Sequence, residues 1–178
     1  MLGAHQGANA AAAVGAAEVL QEQGFGITRE HIYQGLAKAR WPGRMQVVGH
    51  RPLMLVDSAH NPAGAQVLAR AISRLGGYRR LFLVFGVLQD KDWRSMLGVL
   101  GPLAEKIILC RAPSERAADP FALREELKEG GVQIEVREEV AEAISLAKSM
   151  AEAEDAILIA GSLFTAAAAL GALGVQVV

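Results

Sequence analysis

Residues 53–75 read LMLVDSAHNPAGAQVLARAISRL. The stretch opens on four apolar residues, turns polar from Asp57 to Asn61, and becomes helical at Pro62. Asn61 has a side chain suited to capping a helix. Pro62 suits the first helical position, where its missing N–H is not needed. Beyond it Ala65, Leu68, Ile72 and Leu75 keep helical spacing, which predicts one apolar face. A strand delivered through a polar turn into a helix is the repeating unit of a wound α/β sheet.

The same rhythm continues to the end of the chain. Strands are predicted at 81–85, 106–110, 133–136 and 156–160, alternating with helices at 93–100, 120–129, 139–150 and 163–170. The runs 81–85 and 156–160 are apolar throughout, as parallel strands covered on both faces must be. Upstream, 45–48 and 53–56 flank Gly49-His50-Arg51-Pro52, a hairpin signature. The reading is an α/β fold: a Rossmann-like, mostly parallel sheet with helices on both faces and an N-terminal hairpin. Before it, an Ala-rich helix at 7–23 stops at Gly24-Phe25-Gly26, and Thr28 caps a second helix over 31–39. Trp41-Pro42-Gly43 breaks the pattern, so residues 1–40 are read as a remnant of a preceding domain and 41–178 as a domain proper.

Composition narrows the function. The 178 residues are 52% hydrophobic and 21% charged with a net charge of −1, the profile of a globular domain. Scattered basic residues and 5% aromatic content argue against nucleic acid, and balanced charge argues against an anionic membrane. Cys110, the single cysteine, lies in an apolar strand, as expected of a buried thiol in a reducing cytoplasm. The basic region of a signal peptide is missing, and a cytoplasmic protein is expected. There is no G-x-x-x-x-G-K-[ST] loop, no G-x-G-x-x-G after a strand, and no zinc spacing, so no metal ligands are predicted.

Ligands of an open parallel sheet lie outside the carboxyl ends of its strands. Three such ends are polar here: Asp57 to Pro62, Gly86 to Asp92, and Gly161-Ser162. A parallel sheet puts them on one rim. His60, beside a helix start with free amides, suits a phosphate or carboxylate, or else merely caps and contacts backbone. Asp90 and Lys91 are candidate cleft-loop residues or a solvated loop. Ser162 is a candidate site residue or a plain helix cap. Hairpin pairing brings Arg44 and Asp57 to the same end, where they either serve a nucleotide or pair with each other. Asn9 reads by itself as a polar residue at a helix start.

Taken in order, His5-Gln6-Gly7-Ala8-Asn9-Ala10, Trp41-Pro42-Gly43-Arg44, Asp57-Ser58-Ala59-His60-Asn61-Pro62, Gly86-Val87-Leu88-Gln89-Asp90-Lys91-Asp92 and Gly161-Ser162-Leu163-Phe164 resemble the dihydrofolate synthase/folylpolyglutamate synthase family of the Mur ligase superfamily. Ser58 stands where that family usually has glycine, and Phe164 where it usually has tyrosine. The resemblance implies the C-terminal domain of an ADP-forming amide ligase, preceded by the last helices of its central domain. ATP and Mg²⁺ would be bound mainly by that missing domain, with folate or dihydropteroate and L-glutamate as substrates. It implies that Asn9 contacts adenine, that Arg44 contacts the ATP phosphates, and that Asp57 holds the ribose or orients the nucleotide. His60 and Ser162 would serve the incoming glutamate and the acyl phosphate. Alternatives are the C-terminal domain of a peptidoglycan-precursor Mur ligase, or a non-catalytic nucleotide-binding module.

Overall fold

The computed structural model describes residues 5–128 and 131–175. The chain divides into two compact units, Met1–Pro42 and Gly43–Val178. The first unit is two helices, α1 (His5–Glu22) and α2 (Arg29–Lys38). Thr28 caps α2 by accepting from the His31 amide, and the Thr28 amide donates back to His31 Nδ1. None of residues 6–42 is buried, and Phe25, Tyr33 and Trp41 are largely exposed. Two short helices offer each other too little apolar surface to form a core.

The second unit is the predicted α/β sheet. Its elements are β1 (Gln46–His50), β2 (Leu53–Val56), α3 (Pro62–Leu75), β3 (Leu81–Phe85), α4 (Trp93–Leu100), β4 (Lys106–Leu109), α5 (Pro120–Leu127), β5 (Gln133–Val136), α6 (Val140–Met150), β6 (Ala156–Ala160) and α7 (Leu163–Ala172). The strand order is β1-β2-β6-β3-β4-β5. Only the β1–β2 pair is antiparallel. The hairpin is tighter than predicted: β1 runs on through Gly49 and His50, with a register shift between Val47 and Gly49. A Cβ on Gly49 would stand 3.2 Å from the Met54 side chain, so glycine lets the two strands close. The predicted end of α5 at residue 129 lies outside the described residues.

Alternate side chains of each strand feed opposite cores. Leu81, Leu83 and Phe85 of β3 join Leu68, Ile72, Met96 and Leu100 on the α3–α4 face. Phe82 and Val84 join Ile144, Ala147 and Ala169 on the α6–α7 face. Among the described residues, no helix is long and apolar enough to cross a membrane.

The two rims of the sheet are held differently. Where β3 and β6 begin, the buried Asp155 accepts from Arg80 Nη2 at 2.6 Å, Arg79 Nε at 3.4 Å and the Glu152 amide at 2.8 Å. The Arg80 hydrogen bonds, aided by the Glu152 amide and Arg79, hold this carboxyl well below the usual carboxylate range against the opposing effect of burial. Where β3 and β6 end, two glycines touch. Gly161 has φ +115°, and a Cβ there would lie 2.5 Å from the Gly86 carbonyl oxygen. A Cβ on Gly86 would lie 2.6 Å from Thr165 Oγ1 and 3.0 Å from Cys110 Sγ.

Asp155 has a depressed folded pKa, so its contribution is complete above the unfolded value of about 3.9 and disappears as pH falls below it. Asp155→Asn should lower the neutral-pH melting temperature by roughly 5 °C. Melting followed by circular dichroism should show that gap holding from pH 8 to pH 5 and narrowing below about pH 4. Gly161→Ala, strained and clashing with backbone, should cost roughly 5–10 °C. Gly98→Ala, on an exposed helix surface with nothing within 4 Å of the added carbon, should instead gain about 2 °C.

Candidate active site

Strand β6 lies between β2 and β3 and is parallel to both, so the carboxyl ends of all three open on one rim. The Asp57 amide donates to Ile159 O at 2.9 Å, and the Gly86 amide to Ala160 O at 3.2 Å. The three polar segments expected on one edge are therefore neighbours.

Asp57 is buried at the β2 exit. Its Oδ2 accepts the Met45 amide and its Oδ1 the Ala59 amide, each at 2.8 Å. The Ser58 amide donates to Gly43 O at 2.7 Å. These bonds hold a sharply bent entry into β1, where Gly43 has φ +69° and Met45, a non-glycine residue, has φ +45°. Arg44 sits between those two bends, at the same end of the hairpin as Asp57. Asp57 thus braces the backbone that carries Arg44.

His60 Nδ1 lies 3.0 Å from Ser58 O. A carbonyl oxygen only accepts, so Nδ1 is the donor in this contact. Next to it, Asn61 Oδ1 accepts the Gly64 amide at 2.7 Å and Pro62 starts α3, as expected.

The β3 exit is more self-contained. Lys91 Nζ donates to Asp90 Oδ2 at 2.8 Å, with Arg116 Nη1 3.9 Å from the same oxygen. The Lys91 hydrogen bond is the main cause that lowers the Asp90 pKa. Asp92 caps α4 through the Ser95 amide. Both loop charges already have partners within the loop.

Ser162 is almost wholly buried (1% exposed), and its hydroxyl accepts the Thr165 amide at 2.9 Å. Ser162 Oγ also donates to Thr165 Oγ1 at 2.9 Å, and Thr165 Oγ1 donates to Gly86 O at 2.8 Å. Thr165 went unnoticed in the sequence. Its only signal there is its place three residues after a capping serine, a position that usually supplies just a backbone amide. Ser58 Oγ is buried without a hydrogen-bond partner. Cys110 is buried and desolvation pushes its thiol up to about 12, which suits an inert core thiol. Asn9 belongs to the other unit; it is exposed on α1 and donates to Gln6 Oε1 at 3.2 Å. Among the described residues, no group of three or more His, Cys, Asp and Glu could hold a metal ion.

Known proteins share this fold. Residues 43–163 match the family described as Mur ligase, glutamate ligase domain. The probable bifunctional folylpolyglutamate synthase/dihydropteroate synthase of Haloferax volcanii is 35% identical over 170 residues, 95% of this chain and 20% of that protein. A structure of Mycobacterium tuberculosis folylpolyglutamate synthase complexed with ADP gives a TM-score of 0.89 at 31% identity, covering 98% of this chain and 41% of that one. A bifunctional folylpolyglutamate synthase/dihydrofolate synthase with Mn, AMPPNP and L-glutamate bound gives 0.78 at 31% identity, covering 89% and 38%. The chain thus spans 20% of the archaeal relative and 41% or less of the two solved chains. With a match over most of its wound sheet, the chain belongs to the Mur ligase family, as a glutamate ligase domain.

Proposed function

We propose that this chain is the C-terminal domain of a cytoplasmic, ATP-dependent folylpolyglutamate/dihydrofolate synthase. That enzyme joins L-glutamate to a carboxylate of folate or dihydropteroate. The observation that carries the reading is the meeting of the β2, β6 and β3 exits on one rim, within a chain of this family. Relatives solved with ADP, and with Mn, AMPPNP and L-glutamate, support nucleotide, metal and amino acid as the ligand classes.

A carboxylate resists attack by an amine because it is negatively charged and lacks a leaving group. Phosphorylation by ATP supplies the leaving group, and the glutamate amine then displaces phosphate through a tetrahedral intermediate. The domain's part is positioning and neutralisation of charge. Arg44, set in a rigid bend, meets the nucleotide phosphates. Asp57 orients the ribose, while Asn9 contacts adenine. His60, with Nε2 free, and Ser162 serve the glutamate and acyl-phosphate side, and Asp90 and Lys91 line the cleft loop. Mg²⁺ and the triphosphate rest mainly on a preceding P-loop domain. The last helices of that domain are residues 1–40, whose exposed Phe25 and Tyr33 fit burial against it.

The 178-residue chain alone should show no folate-dependent ATP turnover; measurable phosphate release from the pure chain would contradict the assignment. In the full-length ligase, Arg44→Ala should lower kcat/KM for ATP about a hundredfold while moving the KM for glutamate far less. Complementation of a folate-synthesis mutant by the full-length gene separates this reading from a peptidoglycan ligase.

A further inference from the structure

The hydroxyl relay at the β6 exit ties together two segments that the chain separates by more than seventy residues. Its direction is fixed from one end. Gly86 O can only accept, so the single Thr165 hydroxyl proton points at it. Thr165 Oγ1 then faces Ser162 as an acceptor and takes the Ser162 proton, while Ser162 Oγ takes the Thr165 amide. Every group in this circuit is buried, with Thr165 at 0% and Ser162 at 1% exposure. The circuit also needs its two glycines: Gly86 has no room for a Cβ beside Thr165 Oγ1, and Gly161 none beside Gly86 O.

We propose that Thr165 is a positioning residue for the glutamate side of the site, an inference that rests on the ligase reading above. Its hydroxyl orients the Ser162 hydroxyl proton, beside the amide bond that caps α7, and pins the first turn of α7 to the start of the loop carrying Asp90 and Lys91. Without that hydroxyl, Gly86 O loses a donor and the Ser162 hydroxyl proton loses its acceptor, while Ser162 Oγ keeps the bond from the residue-165 amide. One link between the β6 and β3 exits is then lost while the Gly86 amide bond to Ala160 O remains, and the cost falls on the substrate that both must face.

Valine keeps the shape of threonine and removes the hydroxyl; serine keeps the hydroxyl and removes the methyl. In the full-length ligase, Thr165→Val should raise the KM for glutamate about tenfold and leave that for ATP within about twofold. Thr165→Ser should restore the glutamate KM. A role confined to stability would lower the melting temperature without that split. A folded valine variant with an unchanged glutamate KM, or a serine variant that behaves like valine, overturns the proposal. In the 178-residue chain, NMR should report a single Ser162 rotamer with a hydroxyl proton slow to exchange with water, and faster exchange of that proton in the valine variant. If the valine chain does not fold, rotamer averaging in the wild-type chain overturns the proposal by itself. Should the full-length protein use another amine, the ligase reading falls while the NMR result still decides the relay.

Discussion

Strand β6 comes last along the chain, yet it lies between β2 and β3, hydrogen-bonded in parallel to both. Leu158, at its middle, pairs with Leu55 on one side and Leu83 on the other, and all three are completely buried. Without β6, the hairpin strands and the β3–β4–β5 strands would be two small sheets with exposed inner edges. With it, their carboxyl ends share a rim. The polar exits of β2, β6 and β3 are neighbours for that reason alone.

Opposite chemistry secures the two ends of this central strand. At its start, Asp155 gathers two arginines and an amide, a charged clamp that depends on the carboxylate staying ionised. At its end there is no room for side chains, and the contact is glycine on glycine with two hydroxyls closing the gap. The polar groups of the exit rim are small and largely committed to backbone. Asp57 braces the turn around Arg44, Ser162 caps α7, and His60 anchors one ring nitrogen on Ser58 O. Such a rim holds its few free functions, the Arg44 guanidinium and His60 Nε2, on rigid supports. Preorganisation of that kind is what acyl transfer to an amine requires.

Much of this was legible in the sequence because local rules were not overridden. Strands 81–85 and 156–160, the Asn61-Pro62 helix start and the Thr28 cap all form where composition and capping chemistry put them. The order of the strands was not legible, since an apolar run covered on both faces carries no label naming its neighbours. The hairpin turn was shorter than expected because Gly49 admits a bulge that no periodicity reports. At the site, Asp57, His60 and Ser162 were visible as polar residues at strand exits. The Met45 amide bond to Asp57 and the burial of Ser162 were not, because both depend on residues outside the local turn. Thr165 and Asp155 were missed for the same reason: each acts on a partner about eighty residues away.

The claim that one mouth serves nucleotide and glutamate is tested most directly by amide hydrogen exchange on the full-length ligase. Exchange would be compared with and without a non-hydrolysable ATP analogue, a folate and L-glutamate together. The account requires ligand-dependent protection in peptides spanning 43–61, 86–92 and 161–165, with the 79–81 and 152–156 end unchanged. Protection at the Asp155 end, or at only one of the three exits, would contradict it.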